Sequence, residues 1–374
     1  MTTPVRYIRV KSTVNLFSPA NRPTGNIAII GTVTPPTTGG GTVIPENVPT
    51  LFSDPDDAEK RAPGALGTAV ALAMRQEPGP GLVFGVRLAT TADVADTLSK
   101  IATLPVQLVV VANTPLEPGT GGGTPTADIV ALANHVKGPF GDGLERMGVA
   151  MLGKGDTDTS IITGALNSDR MVYVAHKSDE DVAAAVAGTI GGYDPHISLL
   201  LKKVGVTSAP FTAQELFTIN GSEGESSPPG GQNVNWLVNP ALIPGEGVYL
   251  GEGYTGASGT TDKKYIDIVR TLDDITYRLK ASLIASIGEL RISRTGLRAL
   301  AGEMEAVLEP LRRSEVIDDY LVVVPVLALF DKPQPTPEDL ELIAKARRER
   351  FAEAMVRITY AGAIHRLTIN LTFE

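Results

Sequence analysis

The side chains able to do chemistry in this chain are few and scattered. Its histidines are His135, His176, His196 and His365; no two stand at i, i+4, and none falls in an H-E-x-x-H pattern, so the spacing of a helical zinc site is missing. There is no cysteine, which removes thiol nucleophiles, disulfides and thiolate metal ligands. The carboxylate pairs Asp56/Asp57 and Asp318/Asp319 are adjacent in sequence, the ordinary state of turn and helix-start residues. General acid–base work needs two carboxylates converging on one cleft. Gly153-Lys154-Gly155-Asp156 lies between an expected strand and an expected helix, where phosphate loops sit. It lacks the G-x-x-x-x-G-K-S/T spacing that lets backbone N–H groups converge on a phosphate, and reads as a plain turn. Gly39-Gly40-Gly41 and Gly121-Gly122-Gly123 read as loop connectors, and no G-x-S-x-G elbow is present. The residues therefore point to a protein that is not an enzyme, with no catalytic residue, no metal and no cofactor.

One charged cluster stands apart. Lys345, Arg347, Arg348 and Arg350 crowd the C-terminal half of a helix expected from Pro337 to Phe351, while Glu338, Asp339 and Glu341 occupy its first half. Complementarity to the helix dipole is one reading. A basic docking face for an acidic protein partner is the other, because the chain as a whole carries a net charge of −9.

The elements that must carry these residues follow from pattern. Asn26 to Val33 is an apolar strand, and Asp54-Pro55-Asp56-Asp57 opens a helix with acidic residues in its first turn. Then come helix Gly67–Arg75, strand Leu82–Leu88, helix Ala92–Leu104, strand Gln107–Ala112, helix Ala127–Val136, strand Gly148–Leu152, helix Thr157–Leu166, strand Arg170–Ala175 and helix Asp179–Ile190. This alternation predicts an α/β layered domain. From Gly191 to Thr261 the pattern weakens, and a domain boundary is expected near Thr255–Thr261.

Beyond it, Tyr265–Arg270 reads as a short strand and Thr271 as the N-cap of a helix whose stripe is Leu272, Ile275, Leu279 and Leu283. A second helix follows Thr295, Tyr320–Val324 reads as a strand, and Thr336-Pro337 opens the basic helix. Met355–Tyr360 and His365–Phe373 close the chain as strands. The last alternates strictly, placing Leu367, Ile369, Leu371 and Phe373 on one face; at the other end Val5–Val10 is β-prone, with Val5, Tyr7, Ile8 and Val10 as its apolar residues. Each terminal strand needs a sheet to join, in its own domain or in a neighbouring molecule.

Length and composition bound the rest. The chain has 374 residues, enough for two or three domains, and is 43% hydrophobic, ample for a core. The negative charge argues against nucleic acid and anionic membrane surfaces as partners. The longest apolar run, Leu321 to Phe330, is too short to span a bilayer, and the N-terminus shows no apolar signal core.

With these residues in place, the chain resembles the tail sheath proteins of contractile phages and contractile injection systems. Tyr265-Ile266-Asp267-Ile268-Val269-Arg270-Thr271-Leu272-Asp273-Asp274-Ile275 is similar to the opening of the sheath C-terminal domain, and Tyr320–Val324, the Pro337–Phe351 helix and the two final strands follow in the family's order. Gly25–Gly31, Leu66–Leu88 and Tyr249–Thr255 resemble earlier blocks, whereas Pro115–Pro125 and Gly221–Gly231 match nothing in the pattern. The resemblance implies an N-terminal arm (residues 1–22), an outer α/β region (23–257), a C-terminal α+β sheath core (258–362) and a C-terminal arm (363–374). It implies stacked hexameric rings around an inner tube, held by arm strands that carry Val5, Tyr7, Ile8, Val10, Leu367, Ile369, Leu371 and Phe373 into neighbours. It further implies that Lys345, Arg347, Arg348 and Arg350 face the tube. The implied partners are the chain itself, the tube protein, and baseplate and terminator proteins, in a particle assembled in the producer cytoplasm. An α/β nucleotide- or metabolite-binding enzyme and a closed strand-swapped oligomer are the competing expectations; the former predicts a ligand pocket at the strand ends.

Overall fold

The structure, a computed structural model, describes residues 23–34, 43–89, 93–117, 124–138, 143–221, 234–244, 247–257 and 263–365. The expected N-terminal arm and residues 366–374 of the expected C-terminal arm lie outside the described residues; His365, the expected first residue of the closing strand, is described and is not in a strand but held by Glu252 and Ser198.

In the N-terminal part the elements are β1 (Ile27–Gly31), β2 (Thr50–Phe52), α1 (Pro55–Arg61), α2 (Ala65–Met74), β3 (Val83–Arg87), α3 (Val94–Lys100), β4 (Leu108–Pro115), α4 (Ala127–Val136), β5 (Met147–Met151), β6 (Met171–Ala175), α5 (Val182–Gly192), β7 (Lys203–Val204), α6 (Ala213–Asn220), β8 (Asn235–Val238) and β9 (Val248–Leu250). The strands form a nine-stranded sheet in the order β2-β3-β1-β4-β5-β6-β8-β9-β7. Pairing is parallel from β3 through β8, and the outer strands β2, β9 and β7 join antiparallel. Parallel strands covered on both faces read as continuous apolar runs. β1 (IAIIG) and β6 (MVYVA) are such runs, buried along their whole length. Alternate β1 residues feed opposite cores: Ile27 and Ile29 pack with α2 and α5, whereas Ala28 and Ile30 pack with α3 and α4.

Local chemistry sets several boundaries. Asp54 caps α1, accepting from the N–H groups of Asp56 (2.7 Å) and Asp57 (3.2 Å). Thr212 and Glu215 form a reciprocal capping box on α6. Arg146, 1% exposed, donates to the carbonyls of Ile101 (2.9 Å) and Ala102 (2.9 Å) just past α3. A buried guanidinium thus serves the orphan carbonyls of a helix end.

The C-terminal part comprises α7 (Ile266–Leu283), α8 (Arg294–Arg313), β10 (Ile317–Val323), α9 (Pro325–Asp331), α10 (Pro337–Glu349) and β11 (Met355–Tyr360). β10 and β11 form a separate antiparallel pair. Its inner face, Tyr320, Val322, Val356 and Ile358, packs on a small core of Ile275, Leu308, Leu311, Val316 and Ile317.

Two expected elements are different in the structure. Thr157–Leu166 is irregular rather than helical, because the side chains of Asp156 and Asp158 accept the N–H groups of Asp158 and Ser160 (2.9 Å each). Such local side-chain bonds compete with helix formation. Tyr265–Arg270 is not a strand: α7 begins at Ile266, Thr271 lies inside it, and Tyr265 makes only an isolated bridge to Tyr254. Ile266 and Val269 sit three residues apart on the buried face and join the core of the large sheet. Leu272 of the expected stripe is 41% exposed, while Ile275 reaches the small core.

Candidate functional site

Among the described residues, the C-terminal part holds an open-edged strand pair and an exposed basic helix, and both depend on α7 for their support. The first turns of this helix are sealed against the large sheet by ionic contacts. Arg270 donates to the carbonyls of Tyr193 (2.8 Å) and Thr24 (3.1 Å), and Asp273 takes Arg170 through two bonds (2.5 and 2.8 Å). Burial opposes the charge on Arg170, but hydrogen bonding and attraction to Asp273 outweigh it and hold the guanidinium pKa above its ordinary value. Tyr360, at the end of β11, donates to Asp267 Oδ2 (2.7 Å), and its hydroxyl lies 3.3 Å from the carbonyl of His196. The strand pair is thereby tied to α7 and to the loop after α5.

On that support the β10–β11 pair presents its backbone. Among the described residues, neither outer edge has a partner strand. Register places Leu321 opposite Arg357 and Val323 opposite Met355 on the outer face, where Leu321 is 54% and Met355 53% exposed. Asp319, Thr359 and Arg357 share that face, so it is mixed, and the open edges themselves are the templates for pairing with another chain.

The basic helix forms as expected. Thr336 and Asp339 make a reciprocal capping box, and Asp339 also receives Lys332 Nζ (2.7 and 2.8 Å), which holds its carboxyl below the usual range. Lys345, Arg347, Arg348 and Arg350 are all exposed. They are not equivalent. Arg347 donates to the Ile292 carbonyl (3.1 Å) and its guanidinium lies 5.2 Å from the centre of the Phe330 ring, so it fastens α10 to the start of α8 and to α9. Lys345, Arg348 and Arg350 make no ion pair among the described residues.

The histidines serve structure. His176 Nδ1 accepts the Ser178 N–H (3.2 Å), so Nε2 carries the proton donated to the Leu152 carbonyl (3.0 Å). Burial, assisted by Arg146, lowers the pKa of His135 to about 4. His365 is the residue that sequence reasoning missed. Its Nδ1 meets Glu252 Oε2 (3.0 Å), its Nε2 meets Ser198 Oγ (2.8 Å), and its ring edge packs on Tyr265 at 4.8 Å. A hydroxyl–imidazole–carboxylate order can activate a serine. Here Ser198 Oγ already accepts the Leu200 N–H (3.2 Å), and the cluster fastens the stretch after β11 to the large-sheet region. Its partners are 113 and 167 residues away in sequence, so no local pattern announces it.

At the strand ends, the order of the parallel strands reverses at β1, where doubly wound folds bind ligands beside the next strand. The end of β4 there is capped by Asp181, whose Oδ2 accepts the Asn113 N–H (2.6 Å) and whose Oδ1 accepts that of Ala184 (3.0 Å). Asp181 is the N-cap of α5, and its second oxygen ties that helix to β4. Gly153–Asp156 is a turn, with Gly155 at φ 78 and Lys154 paired to Asp179 (2.5 Å). Among the described residues, no helix is long and apolar enough to cross a membrane, and no His, Asp and Glu group could hold a metal.

No protein-family model and no curated protein matches the chain. Solved structures do. The helical sheath of the anti-feeding prophage in its contracted state aligns with a TM-score of 0.66 at 15% identity, over 100% of this chain and 99% of that one. The contracted sheath complex of the extracellular contractile injection system PVC aligns with a TM-score of 0.67 at 13% identity, over 100% and 98%. A chain of the six-fold symmetrised anti-feeding prophage baseplate gives 0.63 at 13%, over 100% of both. The mixed α/β fold, with its large mostly parallel sheet and its small antiparallel one, is the fold of contractile injection system sheath structures.

Proposed function

We propose that this chain is the structural subunit of a contractile sheath, which polymerises as stacked hexameric rings around an inner tube and contracts to drive that tube through a target envelope. The observation that carries the reading is likeness of fold over the whole length of both chains to sheath subunits. Neighbours of this fold are structural proteins, which fits a subunit without catalysis.

In this reading residues 23–257 form the outer layer and 258–362 the sheath core. The two open edges of β10–β11 accept strands from neighbouring subunits: the N-terminal arm with Val5, Tyr7, Ile8 and Val10, and the C-terminal arm with Leu367, Ile369, Leu371 and Phe373. A strand of about nine residues reaches roughly 30 Å, enough to bridge subunits. Exchanged strands make heterologous contacts, which propagate as a helix. Lys345, Arg348 and Arg350 face an acidic tube surface, and Arg347 sets the angle at which they are presented. Baseplate and terminator proteins cap the ends of the assembly, which forms in the producer cytoplasm and becomes part of a phage tail or injection particle.

The test is negative-stain electron microscopy of the purified chain with and without residues 366–374, a cut that leaves His365 in place. Long hollow cylinders from the full chain, lost on truncation, are expected. Small discrete particles of fixed mass from the full chain would refute the sheath reading. Cylinders that survive truncation would refute the role of the C-terminal arm alone.

A further inference from the structure

The seam between α7 and the large sheet contains polar atoms that its ion pairs leave unanswered. Gln107, 7% exposed, accepts the Asn26 N–H through Oε1 (3.1 Å), while its Nε2 has no partner among the described residues. Asp274, 6% exposed, takes Arg278 Nε through Oδ2 (2.8 Å), while its Oδ1 has none among them either. One is a donor and the other an acceptor. Both side chains line the same narrow void of about 20 Å³, together with Glu145, Arg270 and Asp273. A void needs roughly 10–15 Å³ to hold a water molecule, and the water needs two to four polar partners.

We infer that this void is a binding site for a single structural water, which accepts from Gln107 Nε2 and donates to Asp274 Oδ1. The carboxylate of Glu145, on the wall of the same void, offers an acceptor for the second hydrogen. The geometry favours water over an empty cavity because empty cavities in proteins are apolar, and this one is walled by charged and amide groups. It favours water over a cation because Gln107 Nε2 is a donor, which a cation cannot answer, and because Asp273 and Asp274 already carry Arg170 and Arg278. The site joins β4, which begins beside Gln107, to the third turn of α7. It is therefore a third fastening of this helix, beside the Arg270 and Arg170–Asp273 contacts, and it needs no sheath assembly to exist.

Two measurements test it on the full chain. A structure resolved well enough to show ordered solvent is expected to place one peak within about 3.2 Å of both Gln107 Nε2 and Asp274 Oδ1. A dry void, or either side chain turned to a protein partner, would overturn the inference. So would a peak with the short, carboxylate-only contacts of a cation. A double-mutant cycle with Gln107→Met and Asp274→Ala cancels the private losses of each residue, the Asn26 and Arg278 bonds. Because the first replacement already breaks the bridge, the combined effect is expected to fall short of the product of the two single effects by a factor of about three or more in the unfolding constant. Strictly multiplicative effects would count against the bridge.

Discussion

Arg170→Met is the sharpest perturbation of this architecture. The guanidinium makes a two-bond contact with Asp273 (2.5 and 2.8 Å) across 103 residues of sequence, with side-chain exposures of 19% for Arg170 and 9% for Asp273. Removing one partner of a buried pair costs about 3–5 kcal/mol, because the remaining charge is left without compensation. Arg170 keeps some contact with solvent, which places the expected loss near the lower end, about 3 kcal/mol. Replacing both residues by apolar ones, Arg170→Met with Asp273→Leu, removes the buried carboxylate as well and is expected to recover most of that loss. Urea denaturation of the unassembled chain reads both. The internal control is Arg75, whose bonds to Glu59 (2.9 Å) and Asp56 (3.1 Å) join side chains that are 49%, 42% and 73% exposed. Arg75→Met should cost no more than about 0.5 kcal/mol. A loss at Arg170 no larger than that at Arg75, or a double variant worse than the single one, would refute the claim that the seam of α7 rests on this pair.

Three further outcomes are expected. His135 titrates near 4 in the folded chain against an ordinary 6.5, so the unfolded chain takes up a proton first as pH falls through that window. Stability should therefore decline between those values by about 2 kcal/mol after allowance for partial exposure, and His135→Gln should flatten that part of the pH profile of denaturation. Arg347→Ala should lower the melting temperature of the free chain, while the triple replacement of Lys345, Arg348 and Arg350 by alanine should leave it unchanged and weaken salt-sensitive co-sedimentation with the inner-tube partner proposed above; the reverse pattern would disprove the division of labour on α10. His365→Ala leaves Glu252, 4% exposed, without its imidazole, at a cost of about 1–3 kcal/mol, and should speed limited proteolysis between Ala361 and Ile364; an unchanged cleavage rate would remove the clasp.

Much of the fold was legible because burial and period coincide. α4 and β11 have the bounds that pattern alone assigns, and β1 announces itself as an apolar run. The capping signals of α1 and α10 were equally plain. What was hidden has particular causes. The start of α7 reads as a strand because Ile266, Ile268 and the β-branched Val269 carry β propensity, which the packing of Ile266 and Val269 on the large sheet overrides. β7 and β9 are only two and three residues long, too short to show a period. Of the candidate site, the basic run on α10 was visible, whereas the distinct duty of Arg347 depends on Phe330 and Ile292, which sequence cannot bring to it.

The helix α7 belongs to two cores at once: Ile266 and Val269 are counted in that of the large sheet, and Ile275 in that beneath the strand pair. It has 18 residues and neither glycine nor proline to bend at. In mechanical terms it is a lever about 27 Å long, clamped at one end. A turn of its clamped end by about 10° sweeps the far end through roughly 5 Å, the length of one helical turn. Any rotation of the strand pair against the large sheet must therefore carry the whole helix or break one of its two burials. The chain thus has a rigid arm through which a small displacement in one layer becomes a larger one in the other.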